Sequence, residues 1–294
     1  MKYGIIFANT MRWSNGEGAV AAARAADAGG FESMWTVEHV IYPDDYSSPY
    51  PYSPDGKMPA RPDTPIPDPL IWLAYIASVT TTLRLATGIL ILPQRNPVVL
   101  AKELATLDHL SGGRVELGIG VGWLEEEFDA LGVPWARRGA RTDEYVAAMR
   151  ALWASDGASF DGEFASFTRV SSNPKPAQGS IPIVVGGHSR AAAERAGRLG
   201  DGFFPGKGTP AELREMIDIV HQSAAKHDRD PSGIEITAGS PGIFGDDPVG
   251  AAEEMASIGV GRIMVPAFLL VKPTETEAMG AFAERVIRPT ATVG

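Results

Sequence analysis

The sequence predicts a (β/α)8 TIM barrel, and three observations carry that prediction. Apolar runs and helical patterns alternate eight times along the chain. The runs lack polar alternation, as expected for parallel strands covered on both faces. The length, 294 residues, lies somewhat above the ~250 typical of such barrels, which leaves room for insertions. An open doubly wound sheet is the runner-up. It would show one dominant glycine fingerprint and a break between two domains, and neither is found. Residues 1–294 are therefore read as a single domain, with one insertion after strand two and another before strand five.

Residues 3–8 form the first strand, and an alanine-rich helix follows over 17–28, closed by Gly29-Gly30. Small residues on that helix let it sit close to a sheet. The second strand, 33–37, ends at Glu38-His39. Residues 42–69 are irregular, crowded with Pro, Ser and Asp, and carry Tyr42, Tyr46, Tyr50 and Tyr52. A loop of that length in a compact domain is functional or disordered, and the aromatics favour an ordered lid. Asp68-Pro69 opens a helix to about 80. Residues 83–123 then read strand, helix, strand: an apolar run over 83–92, an Asn96-Pro97 helix start, Leu100, Leu104 and Leu107 at helical spacing, a Gly112-Gly113 stop and a second apolar run over 115–119. This is a βαβ unit whose two strands end in glycine on the same sheet edge.

Beyond Trp123, the acidic run 125–127 leads through a loop to a helix over about 142–153. Residues 160–170 alternate around Asp161-Gly162 and predict the inserted hairpin. Strands follow at 181–185, 201–205, 234–238 and 262–266. Helices follow over 189–200, 210–227, from 248 to about 259, and over 274–287.

The formal charge of −10 argues against nucleic-acid or anionic-membrane binding. With no cysteine, disulfides, thiolate metal sites, iron–sulfur clusters and cysteine nucleophiles are excluded. The first residues show no signal-peptide pattern, and no apolar run approaches the ~18 residues of a membrane span. The expectation is a cytoplasmic protein acting on a small organic molecule.

In such a barrel the chemistry lies at the strand C-termini. His39 stands there. A histidine beside a glutamate is ordinarily structural, but on this edge a neutral imidazole can exchange a proton near neutral pH. His109 falls in the last turn of a helix, where a cation complements the dipole. His221 and His227 fall on a later helix and read as solvated. No histidine pair has metal-ligand spacing, so no metal site is expected.

Residues 118–123, GIGVGW, fail the GxGxxG pattern at Trp123, and the three following glutamates would repel a pyrophosphate. Their glycines either admit a flat uncharged ring or simply make a tight turn, and spacing alone does not choose. Gly186, Gly187, His188 and Ser189 precede a helix whose free N–H groups and dipole suit a phosphate, with Arg190 nearby. Ordinary helix capping is the competing reading, and local sequence alone leans towards it. Lys207, flanked by glycines, reads as solvated or as a contact to an anionic tail rather than as a Schiff-base lysine.

Four segments, TVEH at 36–39, ATGILILPQRNPVVLAKELATLDHLSGGR at 86–114, LGIGVGWLEEEFDALG at 117–132 and VGGHSRAAAERAGRLGDGFFP at 185–205, together resemble the bacterial luciferase-like monooxygenase superfamily. More closely, they resemble its actinobacterial branch of deazaflavin-dependent oxidoreductases. The resemblance spans essentially the whole chain. It implies a barrel, a homodimer and coenzyme F420 (an 8-hydroxy-5-deazaflavin), with FMN as the alternative. It also implies that His39 lies by the reactive ring carbon and that Gly88-Ile89 is a bulge with a non-prolyl cis peptide. The implied cofactor contacts are Glu38, His39, Thr87, Gly88, Ile89, Val121, Gly122, Trp123 and, at the phosphate end, Gly186, Gly187, His188 and Ser189. The family's sugar-phosphate dehydrogenases carry an acidic residue where this chain has Trp123, which argues against that substrate. Three rivals remain: an FMN monooxygenase on the same fold, a phosphate-binding lyase or isomerase, and a non-catalytic cofactor-binding protein.

Overall fold

In a computed structural model, which describes residues 1–293, the apolar runs become strands that pair in parallel until the sheet closes on itself. In chain order the elements are β1 (Lys2–Ile6), α1 (Gly16–Gly29), β2 (Ser33–Thr36), α2 (Pro69–Ala77), β3 (Arg84–Thr87), β4 (Leu90–Ile91), α3 (Pro97–Ser111) and β5 (Val115–Gly120). Then come α4 (Glu125–Ala130), α5 (Arg138–Ala154), β6 (Ala158–Asp161), β7 (Ser166–Val170), β8 (Ile183–Gly186), α6 (Arg190–Leu199) and β9 (Gly202–Phe204). The chain ends with α7 (Pro210–Lys226), β10 (Glu235–Gly239), α8 (Pro248–Ser257), β11 (Val260–Pro266) and α9 (Glu275–Phe282). Around the barrel the order is β1, β2, β3, β5, β8, β9, β10, β11, with β11 returning to β1. β4 continues the path of β3 along β5, while β6 and β7 form the separate antiparallel hairpin.

The helix boundaries follow local chemistry. Asp68 and Asn96 each accept two backbone N–H groups at the starts of α2 and α3, with proline at the first helical position. Thr209 and Glu212 form a reciprocal capping box on α7. Gly30 and Gly112 end α1 and α3 in the left-handed conformation. α5 begins earlier than its apolar pattern, because Arg141 and Thr142 are buried in its first turns. The acidic run, expected in a loop, forms the short helix α4.

Inside the barrel, Ile6, Trp35, Ala86, Val184, Phe204 and Met264 make a core of their own. Trp35 fills the centre. A Cβ at Gly4, Gly88 or Gly118 would stand 3.0–3.3 Å from its indole, so these glycines are the space the ring needs. Below it Arg262, with Glu32, Glu116 and Glu235, plugs the N-terminal end. The opposite end is left to the loops.

Candidate active site

The residues that leave β2 turn back into the rim. Glu38 is buried and accepts the Ile91 N–H at 2.5 Å and Arg95 Nε at 2.9 Å, while Arg95 Nη2 also reaches Asp68 Oδ2 at 2.8 Å. Burial pushes the Glu38 carboxyl up, against the pull of Arg95. The next residue, His39, places Nδ1 3.3 Å from Glu127 Oε2, with 11% and 2% of the two side chains exposed. Glu127 Oε1 accepts the Val40 N–H at 2.6 Å, and Oε2 accepts Gln94 Nε2 at 3.2 Å. Burial works to raise the Glu127 carboxyl, but His39, Gln94 and the Val40 amide outweigh it and hold it below its ordinary range.

The Gly88–Ile89 peptide is cis, as the resemblance implies. It lies on the same rim as His39, because the Gly88 N–H donates to Thr36 O at 2.6 Å and β4 resumes where Glu38 is bound. Thr87 Oγ1 donates to Gly118 O at 2.7 Å and pins β3 to β5. The Ile89 side chain crosses the mouth: a Cβ on Gly120 would lie 1.7 Å from its Cδ1, and one on Gly186 would lie 2.6 Å from its Cγ2. Gly122 has φ +84° and receives the Phe128 ring, so at this position the turn accounts for the glycine.

At the other side of the mouth, Ser189 caps α6 through the Ala192 N–H, and Gly187 has φ +123°. His188 Nδ1 is buried with no hydrogen-bond partner. Burial, then the charge of Lys207, holds the His188 imidazole below its ordinary value. Lys207 is exposed and donates to Pro51 O at 2.7 Å. It holds the lid and lacks the burial a Schiff-base lysine needs.

The loop over residues 42–69 packs its tyrosines onto the rim. Trp123 is met edge-on by His39 (5.8 Å between ring centres), Tyr46 (5.7 Å) and Tyr50 (5.1 Å), and Tyr52 meets His188 at 5.1 Å. Glu126 Oε1 accepts the N–H groups of Ser47 and Ser48; burial works to raise its carboxyl, but the Ser47 amide and the Ser48 and Ser47 hydroxyls hold it down to about 2. A cavity of about 320 Å³ opens beside His39, Gln94, Arg95, Ile66 and Leu131. It does not extend to the 88–89 peptide or to His188, against which Tyr52 packs.

One rim therefore gathers Glu38, His39, Thr87, Gly88, Ile89, Val121, Gly122, Trp123, Gly186, Gly187, His188 and Ser189. Sequence reading missed Gln94, Arg95, Glu126 and Glu127. Among the described residues no cluster of three metal-ligating side chains occurs, and no helix is long and apolar enough to cross a membrane.

Comparison with known proteins adds to this geometry. The luciferase-like monooxygenase family profile matches residues 1–289. An uncharacterized protein of Mycobacterium tuberculosis is 39% identical over 201 residues, 68% of this chain and 69% of its own length. An FMNH2-dependent dimethylsulfone monooxygenase of Pseudomonas putida is 30% identical over 197 residues, 66% of this chain and 46% of that protein. The coenzyme F420-dependent tetrahydromethanopterin reductase of Methanopyrus kandleri superimposes with a TM-score of 0.76, covering 98% of this chain and 99% of that one. At 17% identity that likeness is one of fold.

Proposed function

This chain belongs to the luciferase-like monooxygenase family, and on that premise we propose that it is an F420-dependent oxidoreductase passing a hydride between the deazaflavin and a small organic substrate. The observation that carries the reading is the convergence on one rim of a half-buried imidazole, the 88–89 peptide and the α6 N-terminus. The residues fit such a cofactor. The unpartnered, buried His188 Nδ1, the free N–H groups at the start of α6 and the nearby charge of Lys207 form one anion-attracting end. Two cationic or donor side chains beside a helix terminus suit the extended anionic tail of F420 better than a single phosphate.

When bound, the deazaflavin supplies the hydride chemistry. The chain's own residues orient it and exclude water. His39 holds or releases the proton that accompanies the hydride. Trp123, Tyr46 and Tyr50 form the wall against which an organic substrate would pack, and the lid must yield to admit it.

Titrating the purified protein with F420 and with FMN tests this. Tighter F420 binding, with turnover that needs no oxygen, is expected. Preference for FMN with oxygen consumption would replace it with the monooxygenase reading, which the Pseudomonas relative favours. Ser189→Asp should weaken F420 binding by about tenfold through repulsion at the tail; undiminished affinity would move that end of the ligand elsewhere.

The homodimer follows as a second part of the proposal. Ile71 and Tyr75 on α2, and Val98, Val99 and Leu110 on the adjacent α3, are exposed apolar side chains. A second copy of the chain would cover them. Sedimentation should give a dimer, and Ile71→Glu, which duplicates a charge across a two-fold contact, should shift it towards monomer. A monomeric wild type at micromolar concentration would refute the assembly.

A further inference from the structure

The proposed reaction leaves Glu127 without a task. With 2% of its side chain exposed, it is a costly carboxylate unless donors surround it. Those donors are particular. Oε1 takes the N–H groups of Val40 at 2.6 Å and Ile41 at 3.3 Å, the residues that lead from His39 into the lid. Oε2 takes Gln94 Nε2 at 3.2 Å and lies 3.3 Å from His39 Nδ1. That nitrogen is buried and has no hydrogen-bond partner; the Glu127 carboxylate, 3.3 Å away, is the acceptor within its reach. A carboxylate at this edge favours the imidazole tautomer with hydrogen on Nδ1, which leaves Nε2 as the basic nitrogen.

We propose that Glu127 is a positioning residue for His39: one carboxylate fixes the imidazole tautomer and, with its other oxygen, ties the ring to the root of the lid. Its catalytic consequence rests on the proton-transfer role given to His39 above; the tautomer itself does not. A purely structural Glu127 would hold Val40 and Ile41 and be indifferent to the ring.

Glu127→Gln separates the two. The short Val40 N–H contact claims the amide oxygen, so the amide nitrogen faces His39 Nδ1 and disfavours a proton there. Nitrogen-15 spectra of the cofactor-free protein, with the His39 signals assigned by their loss in His39→Gln, should show the Nδ1–H form in the wild type and the Nε2–H form in Glu127→Gln. The kcat should fall by about 10²-fold with KM within about twofold of wild type. Glu127→Asp, which keeps the carboxylate, should restore the Nδ1–H form and part of the kcat. An Nδ1–H imidazole persisting in Glu127→Gln overturns the proposal. Should that variant fail to fold, Gln94→Met decides, since it removes the competing donor and leaves the carboxylate to His39. Retention of the Nδ1–H form there supports the proposal, and its loss overturns it. A tautomer that switches as expected while His39→Ala turns over normally would uphold the positioning and overturn the proton-transfer role instead.

Discussion

Replacing His39 by alanine should slow turnover by about 10²-fold or more while the cofactor still binds with nearly wild-type affinity. The expectation follows from where the imidazole is held. His39 is placed by its backbone, which leaves β2 beside the buried Glu38, and by Glu127 at Nδ1, so the ring is oriented before any ligand arrives. Removing it deletes the proposed proton carrier from a rim whose neighbouring Trp123 carries no titratable group and whose Tyr50 phenol burial pushes up to about 12. The proposed tail-binding end at His188 and Ser189 lies across the mouth and is untouched by the change. Steady-state rates and equilibrium binding, measured on the same preparation, separate the alternatives. Unchanged kcat would remove His39 from the chemistry. A loss of binding equal to the loss of rate would make it a packing residue for the ring.

Much of this site was legible before any coordinates, and the reason is local. Asn96-Pro97, Asp68-Pro69 and Gly112 state helix boundaries in their own backbone chemistry, and both helices start where they indicate. Parallel strands buried on both faces are continuous apolar runs, so the eight-fold alternation is visible without knowing which strands pair. Once the barrel is inferred, strand C-termini point to His39, Gly88 and Gly186 by topology alone. What stayed hidden depends on partners distant in sequence. The run Glu125–Glu127 looks like a solvated charge cluster, yet the fold buries Glu127 against residues 39–41 and aims Glu126 at residues 47–48. Gly118 and Gly120 look like a cradle for a ring, yet Trp35 and Ile89 already press on them. Lys207 serves the carbonyl of Pro51, a partner that leaves no mark in sequence.

Arg262→Met should cost about 3–5 kcal/mol of stability, the price of leaving buried carboxylates without their counter-charge. Arg262 is 1% exposed and donates to Glu32 through Nε at 2.8 Å and Nη2 at 3.0 Å, and to Glu235 at 3.1 Å; Glu116 Oε2 is also 3.1 Å away. Thr237 Oγ1 takes Nη1 at 3.2 Å, and the Trp35 ring faces the guanidinium at 5.1 Å. Methionine matches the volume but answers none of the three carboxylates. Lys2 reaches Glu235, and Arg84 stands 3.8 Å from Glu32, which leaves Glu116 the most stranded. The pH dependence gives a second check. In the wild type, burial works to raise the Glu32 carboxyl, but Arg262 outweighs it and holds the group below its ordinary 4.5. Its contribution is therefore complete above that value and lost as pH falls through the lowered one. In Arg262→Met that contribution is gone and the carboxylates protonate more readily, so the deficit should be largest near neutral pH and shrink on acidification. Urea unfolding at pH 7.5 and at about pH 4 reads both effects. A difference below about 1 kcal/mol at neutral pH, or one that grows on acidification, would mean the charges beneath Trp35 are not what closes the lower end of the barrel.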